Sequence, residues 1–232
     1  MKKIIKLLVL LLISLSVYFI YNSKKEVKIN YVSIGDGFAS GINSYHQKSY
    51  GYSDYLKDYL KKEKKLGSYS NFTYEDMMTK DIQKDIILNV HNKNENIKRA
   101  LRESNLLTIS VGINDLIYEM DVNNVESPVI QEKILTKIVD KLTLDIKEIR
   151  KYYSGDIYLI GYYNFYPQNS VERKILDKLN RKYQQFCGKN NLIFIDNSNL
   201  SNRLFNYLEN PNSFYPNING YEQIYQNIMR EL

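Results

Sequence analysis

Ser33-Ile34-Gly35-Asp36-Gly37-Phe38-Ala39-Ser40-Gly41 ends a candidate strand, Lys28 to Gly35, and opens into a loop of small and flexible residues. A short stretch rich in Ile, Val and Tyr is what a strand buried on both faces requires, and the glycines after it let backbone amides approach a ligand closely. The same arrangement recurs where Leu106 to Val111 runs into Gly112-Ile113-Asn114-Asp115. In an open parallel sheet the ligand crevice lies beyond the carboxyl ends of the strands, at the point where strand order reverses. These two strand ends are therefore where a site is expected.

Outward from this pair, further strands are expected at Asp156 to Tyr162 and Leu192 to Asp196, with a weaker one at Leu66 to Phe72. Helical periods separate them. Tyr52, Tyr55, Leu56, Tyr59 and Leu60 repeat at helical spacing, and Ser127-Pro128 reads as an N-cap followed by proline at the first helical position. Behind that start Ile130, Ile134, Ile138 and Leu142 make one stripe. Asn169 with Glu172 and Asn219 with Glu222 read as capping boxes, and a last helix is expected to bury Tyr221, Ile224, Tyr225, Ile228 and Leu232. Alternation of this kind is the signature of βαβ units, so the chain is expected to form an α/β sandwich on a parallel sheet of about five strands.

The 232 residues, 44% hydrophobic with only 4 Pro and 10 Gly, describe a folded chain and exclude disorder and collagen-like structure. The formal charge is +6, but Lys2, Lys3 and Lys6 precede the expected domain, and 6 − 3 = +3 does not call for nucleic acid. One cysteine, Cys187, excludes an intramolecular disulfide, and two histidines make a His-rich metal site improbable. No cofactor and no metal are expected. Leu7 to Tyr21 carries no charge and is flanked by lysines on both sides. It reads as a membrane segment, with Tyr18 and Tyr21 at the level of an aromatic belt. An uncleaved anchor over residues 1–25 would leave residues 26–232 as an extracytoplasmic domain. Cleavage after Ser14-Leu15-Ser16 would give a secreted protein instead, and a buried soluble helix is the blander alternative.

Taken together, the two glycine-bearing loops resemble blocks of the SGNH, or GDSL-type, hydrolase superfamily, and the likeness spans nearly all of the chain after the apolar segment. The family's Gly-Asp-Ser-x-x-x-Gly appears as Gly35-Asp36-Gly37-Phe38-Ala39-Ser40-Gly41, with Gly37 in the place of the nucleophile. Its Gly-x-Asn-Asp block is whole, as Gly112-Ile113-Asn114-Asp115, which implies an oxyanion donor at Asn114. Its Asp-x-x-His-Pro block appears as Asn212-Ser213-Phe214-Tyr215-Pro216, so Asn212 replaces the acid and Tyr215 the base. The glycine of the second block falls near Asn71. The resemblance implies a three-layer α/β/α fold of the flavodoxin-like type and a crevice lined by Asp36, Gly37, Asn71, Gly112 and Asn114.

Acyl transfer needs a hydroxyl, a base within reach and a group that orients the base. Gly37, Tyr215 and Asn212 supply none of these, so the chain is expected to be catalytically inactive and to bind a glycan, an acyl group or an envelope protein. Two other functions stay open: an esterase or lipase with a rearranged site, and a structural partner in a membrane complex. Ser40 with His46 is the candidate replacement pair, although no carboxylate at a recognisable spacing orients it. His91 reads as a solvated helix end, Cys187 as a small buried hydrophobe, and Asp36 with Asp115 as loop hydrogen-bonding groups rather than a metal pair. Tyr45, Tyr50, Tyr52, Tyr162, Tyr163, Phe165 and Tyr166 are the aromatic candidates for stacking on a sugar. Lys61, Lys62, Lys64 and Lys65 read as a solvated helix end.

Overall fold

The computed structural model describes residues 6, 11–16, 18, 27–210 and 212–232. The apolar segment Leu7 to Tyr21 lies largely outside the described residues. Among those described, no helix is long and apolar enough to cross a membrane.

The chain runs β1 (Ile29–Gly35), α1 (Gly37–Ser40), α2 (Tyr52–Lys62), β2 (Leu66–Thr73), α3 (Thr79–Leu88), α4 (Ile97–Glu103), β3 (Leu106–Ser110), α5 (Ile113–Val122), α6 (Pro128–Ile149), β4 (Ile157–Ile160), α7 (Val171–Asn190), β5 (Ile193–Ile195), a 3-10 turn (Ser198–Arg203), α8 (Leu204–Tyr207) and α9 (Ile218–Met229). All strand pairs are parallel, in the order β2-β1-β3-β4-β5. Helices cover both faces, giving three layers: α2 packs on α9, while α3, α6 and α7 lie side by side. Strand order reverses at β1, so the crevice is due between the ends of β1 and β3, where Gly35 pairs with Ser110.

Burial explains which strands the sequence announces clearly. Every residue of β3 and β4 is buried, which favours the mainly apolar sequences seen there, and the two polar residues of β3, Thr108 and Ser110, are hydrogen-bonded to Tyr31 and Asp36. β2 is an edge strand with a mixed pattern, carrying Gly67, Ser68, Ser70 and Asn71, and its signal is correspondingly weak. The stripe of α6 goes inward through Ile134, Ile138 and Leu142, each at most 3% exposed. Truncating any of them to alanine should cost about 2–5 kcal/mol.

Helix starts are less legible. Ser127 precedes Pro128 as expected but makes no side-chain cap, whereas the expected box at Asn169 gives way to Ser170, whose hydroxyl accepts from Arg173 N–H. The start of α9 lies two residues before the expected one, with Asn217 Oδ1 accepting from Gly220 N–H at 3.0 Å. Leu232 falls beyond α9 and is exposed, so it is not part of the buried stripe.

Candidate functional site

Two glycines bring the ends of β1 and β3 together. Gly35, at φ +145°, would place a Cβ 2.8 Å from the Ser110 carbonyl carbon. Gly112, at φ +113°, would place one 3.2 Å from Tyr183 Cζ, and the Tyr183 hydroxyl donates to the Val111 carbonyl at 2.8 Å. Both the conformation and the lack of room require glycine.

Asp36 follows directly and is fully buried. Its Oδ1 accepts from Phe38 N–H at 3.1 Å, capping α1, and from the Ser110 hydroxyl at 2.9 Å; its Oδ2 accepts from the Tyr162 hydroxyl at 2.6 Å. Burial pushes its pKa up to about 7, against the opposing pull of those hydrogen bonds. Asp36 thus ties the two strand ends to β4 and its following loop, and offers no open oxygen to a ligand.

Gly37 opens α1, and its N–H donates to the Glu75 carbonyl at 3.1 Å. Asn114, in the first turn of α5, commits its side-chain amide in the same direction: Nδ2 donates to Glu75 O at 2.9 Å and to Met77 O at 3.1 Å. The Tyr215 hydroxyl completes the group by donating to Glu75 O at 3.4 Å. A single backbone oxygen, from the segment that follows β2, therefore collects three donors. Backbone N–H and side-chain amide donors converging on one point are what an oxyanion hole consists of. Here that point is filled by the chain itself.

Tyr215 occupies the space beside Gly37. A Cβ built on Gly37 would lie 2.5 Å from Tyr215 Cζ, with Cε1 and the hydroxyl oxygen nearer still. The ring is 1% exposed, packed among Phe38, Phe214 and His46 at centroid distances of 5.6, 4.3 and 5.6 Å. Its carbonyl accepts from the Ser44 hydroxyl at 2.7 Å. Burial, with the nearby charges of Asp36, Glu75 and Asp76, holds the phenol far above its ordinary pKa. It is neither a base nor a phenolate nucleophile at neutral pH. Asn212 is exposed, its backbone N–H held by Asn210 Oδ1 at 3.0 Å.

Asn71 is not brought to this place. It lies within β2 opposite Ser33, with its amide spent on Tyr69 and Thr73. The residues that come over Gly37 and Asn114 are those just after the strand, Glu75 and Met77. Ser40 and His46 do not pair either: Ser40 Oγ is buried without a hydrogen-bond partner among the described residues, while His46 Nδ1 bonds to Glu75 Oε1. A carboxylate does orient His46 after all, supplied from 29 residues away by the fold. Asp36 and Asp115 serve separate networks; Asp115 accepts from Thr79 N–H at 2.8 Å, from its hydroxyl at 2.7 Å and from Lys141 Nζ at 3.3 Å. Cys187 is buried, and burial pushes its thiol up to about 12. His91 is exposed beside Asn92, and Lys61, Lys62, Lys64 and Lys65 are exposed.

Above the closed point is a basin of about 370 Å³, lined by His46, Glu75, Asp76, Met78, Asn114, Ile117, Tyr118, Asp121, Phe214 and Tyr215. The aromatic residues expected at the crevice are placed elsewhere: Tyr52, Tyr162 and Tyr163 are core residues, and Tyr45, Tyr50, Phe165 and Tyr166 do not line the basin. Tyr118 and Phe214 do. Tyr118 is 55% exposed on α5, a feature that helical spacing around the intact Gly112-Ile113-Asn114-Asp115 block would have revealed.

A family profile described as GDSL-like Lipase/Acylhydrolase matches residues 31–228. The chain belongs to this family. No curated protein matches the chain. Among solved structures, the GDSL-like chain is similar to a lipase from a goat rumen metagenome, at 17% identity and a TM-score of 0.73, covering 88% of this chain and 97% of that one. It is also similar to an acetylxylan esterase from Geobacillus stearothermophilus, at 17% identity and a TM-score of 0.66, covering 89% and 95%. A third is a phospholipase A1 from Streptomyces albidoflavus, at 14% identity and a TM-score of 0.63, covering 87% and 98%. These likenesses establish the GDSL-type fold.

Proposed function

We propose that this GDSL-like chain is a catalytically silent binding module, held at the cell membrane by Leu7 to Tyr21 with its main domain outside, where it takes a glycan, an acyl group or a protein partner. The observation that carries the reading is the Gly37–Tyr215 pair: the nucleophile's position has no side chain, and a buried phenol fills the room one would need. The Glu75 carbonyl on the Gly37 and Asn114 donors supports it further, since a substrate carbonyl has nowhere to place its developing charge.

The test is hydrolysis of short acyl esters and acetylated xylo-oligosaccharides by the purified chain, with labelling by a serine-directed fluorophosphonate. Rates equal to buffer and no label are expected. Turnover well above buffer that is lost on Ser40→Ala or His46→Ala would overturn the proposal. His46 held by Glu75 is the observation that favours the second reading, an esterase with a rearranged site. In that reading His46→Ala alone abolishes activity. For the membrane location, N-terminal sequencing of the mature protein from membranes should recover Met1 or Lys2, and a start after Ser16 would indicate secretion instead.

A further inference from the structure

The Gly37 N–H, both hydrogens of the Asn114 amide and the Tyr215 hydroxyl all end on carbonyls of the segment that links β2 to α3. A ligand carbonyl could reach those donors only by displacing that segment. The donors act as a clamp, and what they hold in place is a wall of the basin: Glu75, which grips His46, and its neighbour Asp76. At about 370 Å³ the basin is within the range of small-ligand sites, about 300–1,000 Å³.

Resting on the binding reading above, we infer that the ligand site of this chain has moved outward into this basin, and that it takes a saccharide bearing free amino groups. The basin pairs two kinds of surface. Tyr118 and Phe214 present aromatic carbon of the kind that packs on a sugar ring, beside the imidazole of His46. Lining the same basin are Asp76 and, one helical turn beyond Tyr118, Asp121, both exposed. Neither enters an ion pair among the described residues, whereas Glu75 is hydrogen-bonded to His46, and Lys137 and Lys141 are paired with Glu119 and Asp115. The basin therefore holds spare negative charge on a chain whose formal charge is +6. An anionic ligand would be repelled there. An ammonium group gains from both carboxylates and from the face of Tyr118.

The experiment is calorimetric titration of the full chain with three probes: a hexamer of glucosamine, a hexamer of N-acetylglucosamine, and spermine. The glucosamine hexamer should bind at least tenfold more tightly than either of the others. The Asp76→Asn/Asp121→Asn double variant changes two exposed side chains and leaves the melting temperature in place; it should reduce that affinity at least tenfold, and Tyr118→Ala should reduce it as well. Equal binding of the two hexamers would overturn the amino-group assignment while leaving the binding reading intact. Spermine binding as tightly as the glucosamine hexamer would overturn the saccharide assignment. Absence of glucosamine binding would overturn the inference outright, and ester turnover, measured separately, is what would overturn the binding reading.

Discussion

Putting the nucleophile back should fail, and the structure says by how much. Gly37→Ser adds a Cβ that would lie 2.5 Å from Tyr215 Cζ, whereas ordinary contacts begin at 3.4 Å, so the ring must withdraw by at least 3.4 − 2.5 = 0.9 Å. The ring is 1% exposed, and Phe38, Phe214 and His46 block its retreat. Overpacking of this kind typically costs about 1–3 kcal/mol, and the rigidity of a ring wedged among aromatics puts Gly37→Ser near the upper end, about 3 kcal/mol. For a domain of this size each kcal/mol lowers the melting temperature by about 2–4 °C, so a drop of about 6–12 °C is expected. The decisive measurement is a double-mutant cycle by urea melts. Tyr215→Ala removes the obstacle, and Gly37→Ser in that background should cost no more than about 1 kcal/mol, a coupling of about 2 kcal/mol. Additive costs would refute the claim that the two positions share one volume. The single variant should also stay unlabelled by a fluorophosphonate, because the side chain packed against the new hydroxyl is Tyr215, a phenol held protonated by burial.

Three further outcomes follow from the buried polar groups and caps. Asp145 is 1% exposed with Oδ2 unpartnered among the described residues, and burial raises its pKa from 3.8 to about 8. The folded state thus binds its proton more tightly than the unfolded state, and this group's contribution to stability falls as pH rises from about 4 to about 8. Asp145→Asn should flatten the stability profile in that window, and an unchanged slope in urea melts would count against it; Asp36, raised to about 7, acts in the same direction over a narrower range and remains in the variant. The Cys187 thiol, pushed up to about 12 by burial, should resist iodoacetamide at pH 8 in the native chain and react promptly in urea, and fast native labelling would show that its face of α7 is not packed on the core. Asn217→Ala removes the acceptor for Gly220 N–H at the start of α9 and should cost about 1 kcal/mol, whereas Asn219→Ala should cost much less; the reverse order in thermal melts would restore the box at Asn219 and Glu222.

The fold was open to a sequence reading because the interior strands are buried on both faces. Ile157–Ile160 is wholly apolar, and Leu106–Ser110 is apolar apart from Thr108 and Ser110, whose hydroxyls pair with Tyr31 and Asp36, so both runs are visible without any structure. The glycines at 35 and 112 were legible for a related reason, since the conformations they adopt are nearly closed to other residues. Helix starts were not, because Asn217 and Asn219 are the same residue type two positions apart and only the turn of the backbone selects between them. The site divides in the same way. Positions 37, 114 and 215 could be placed by motif spacing, but their partner is a main-chain carbonyl, and a carbonyl leaves no trace in a sequence. Asn71 was misplaced for that reason: the expected donor was sought inside the strand, while the decisive atom lies four residues further on, at Glu75. The grip of Glu75 on His46 joins two loops 29 residues apart and is likewise a product of the fold alone.

Gly37 and Tyr215 are better understood as one packing unit than as two independent residues. A glycine at position 37 without the ring would leave a void beside Phe38, which is costly in a buried setting. A tyrosine at position 215 without the glycine would collide with a serine Cβ. With both present the ring fills the volume and its hydroxyl joins the two donors on Glu75 O, so that volume and hydrogen bonding are satisfied together. Once the Glu75 carbonyl is seated, Asn114 stabilises the closed segment through two hydrogen bonds and no longer has a hydrogen to offer a substrate. Each step back toward an open site must then break packing and hydrogen bonds at the same time. That cooperativity is the physical reason to expect no ester turnover from a single substitution at Gly37 or Tyr215.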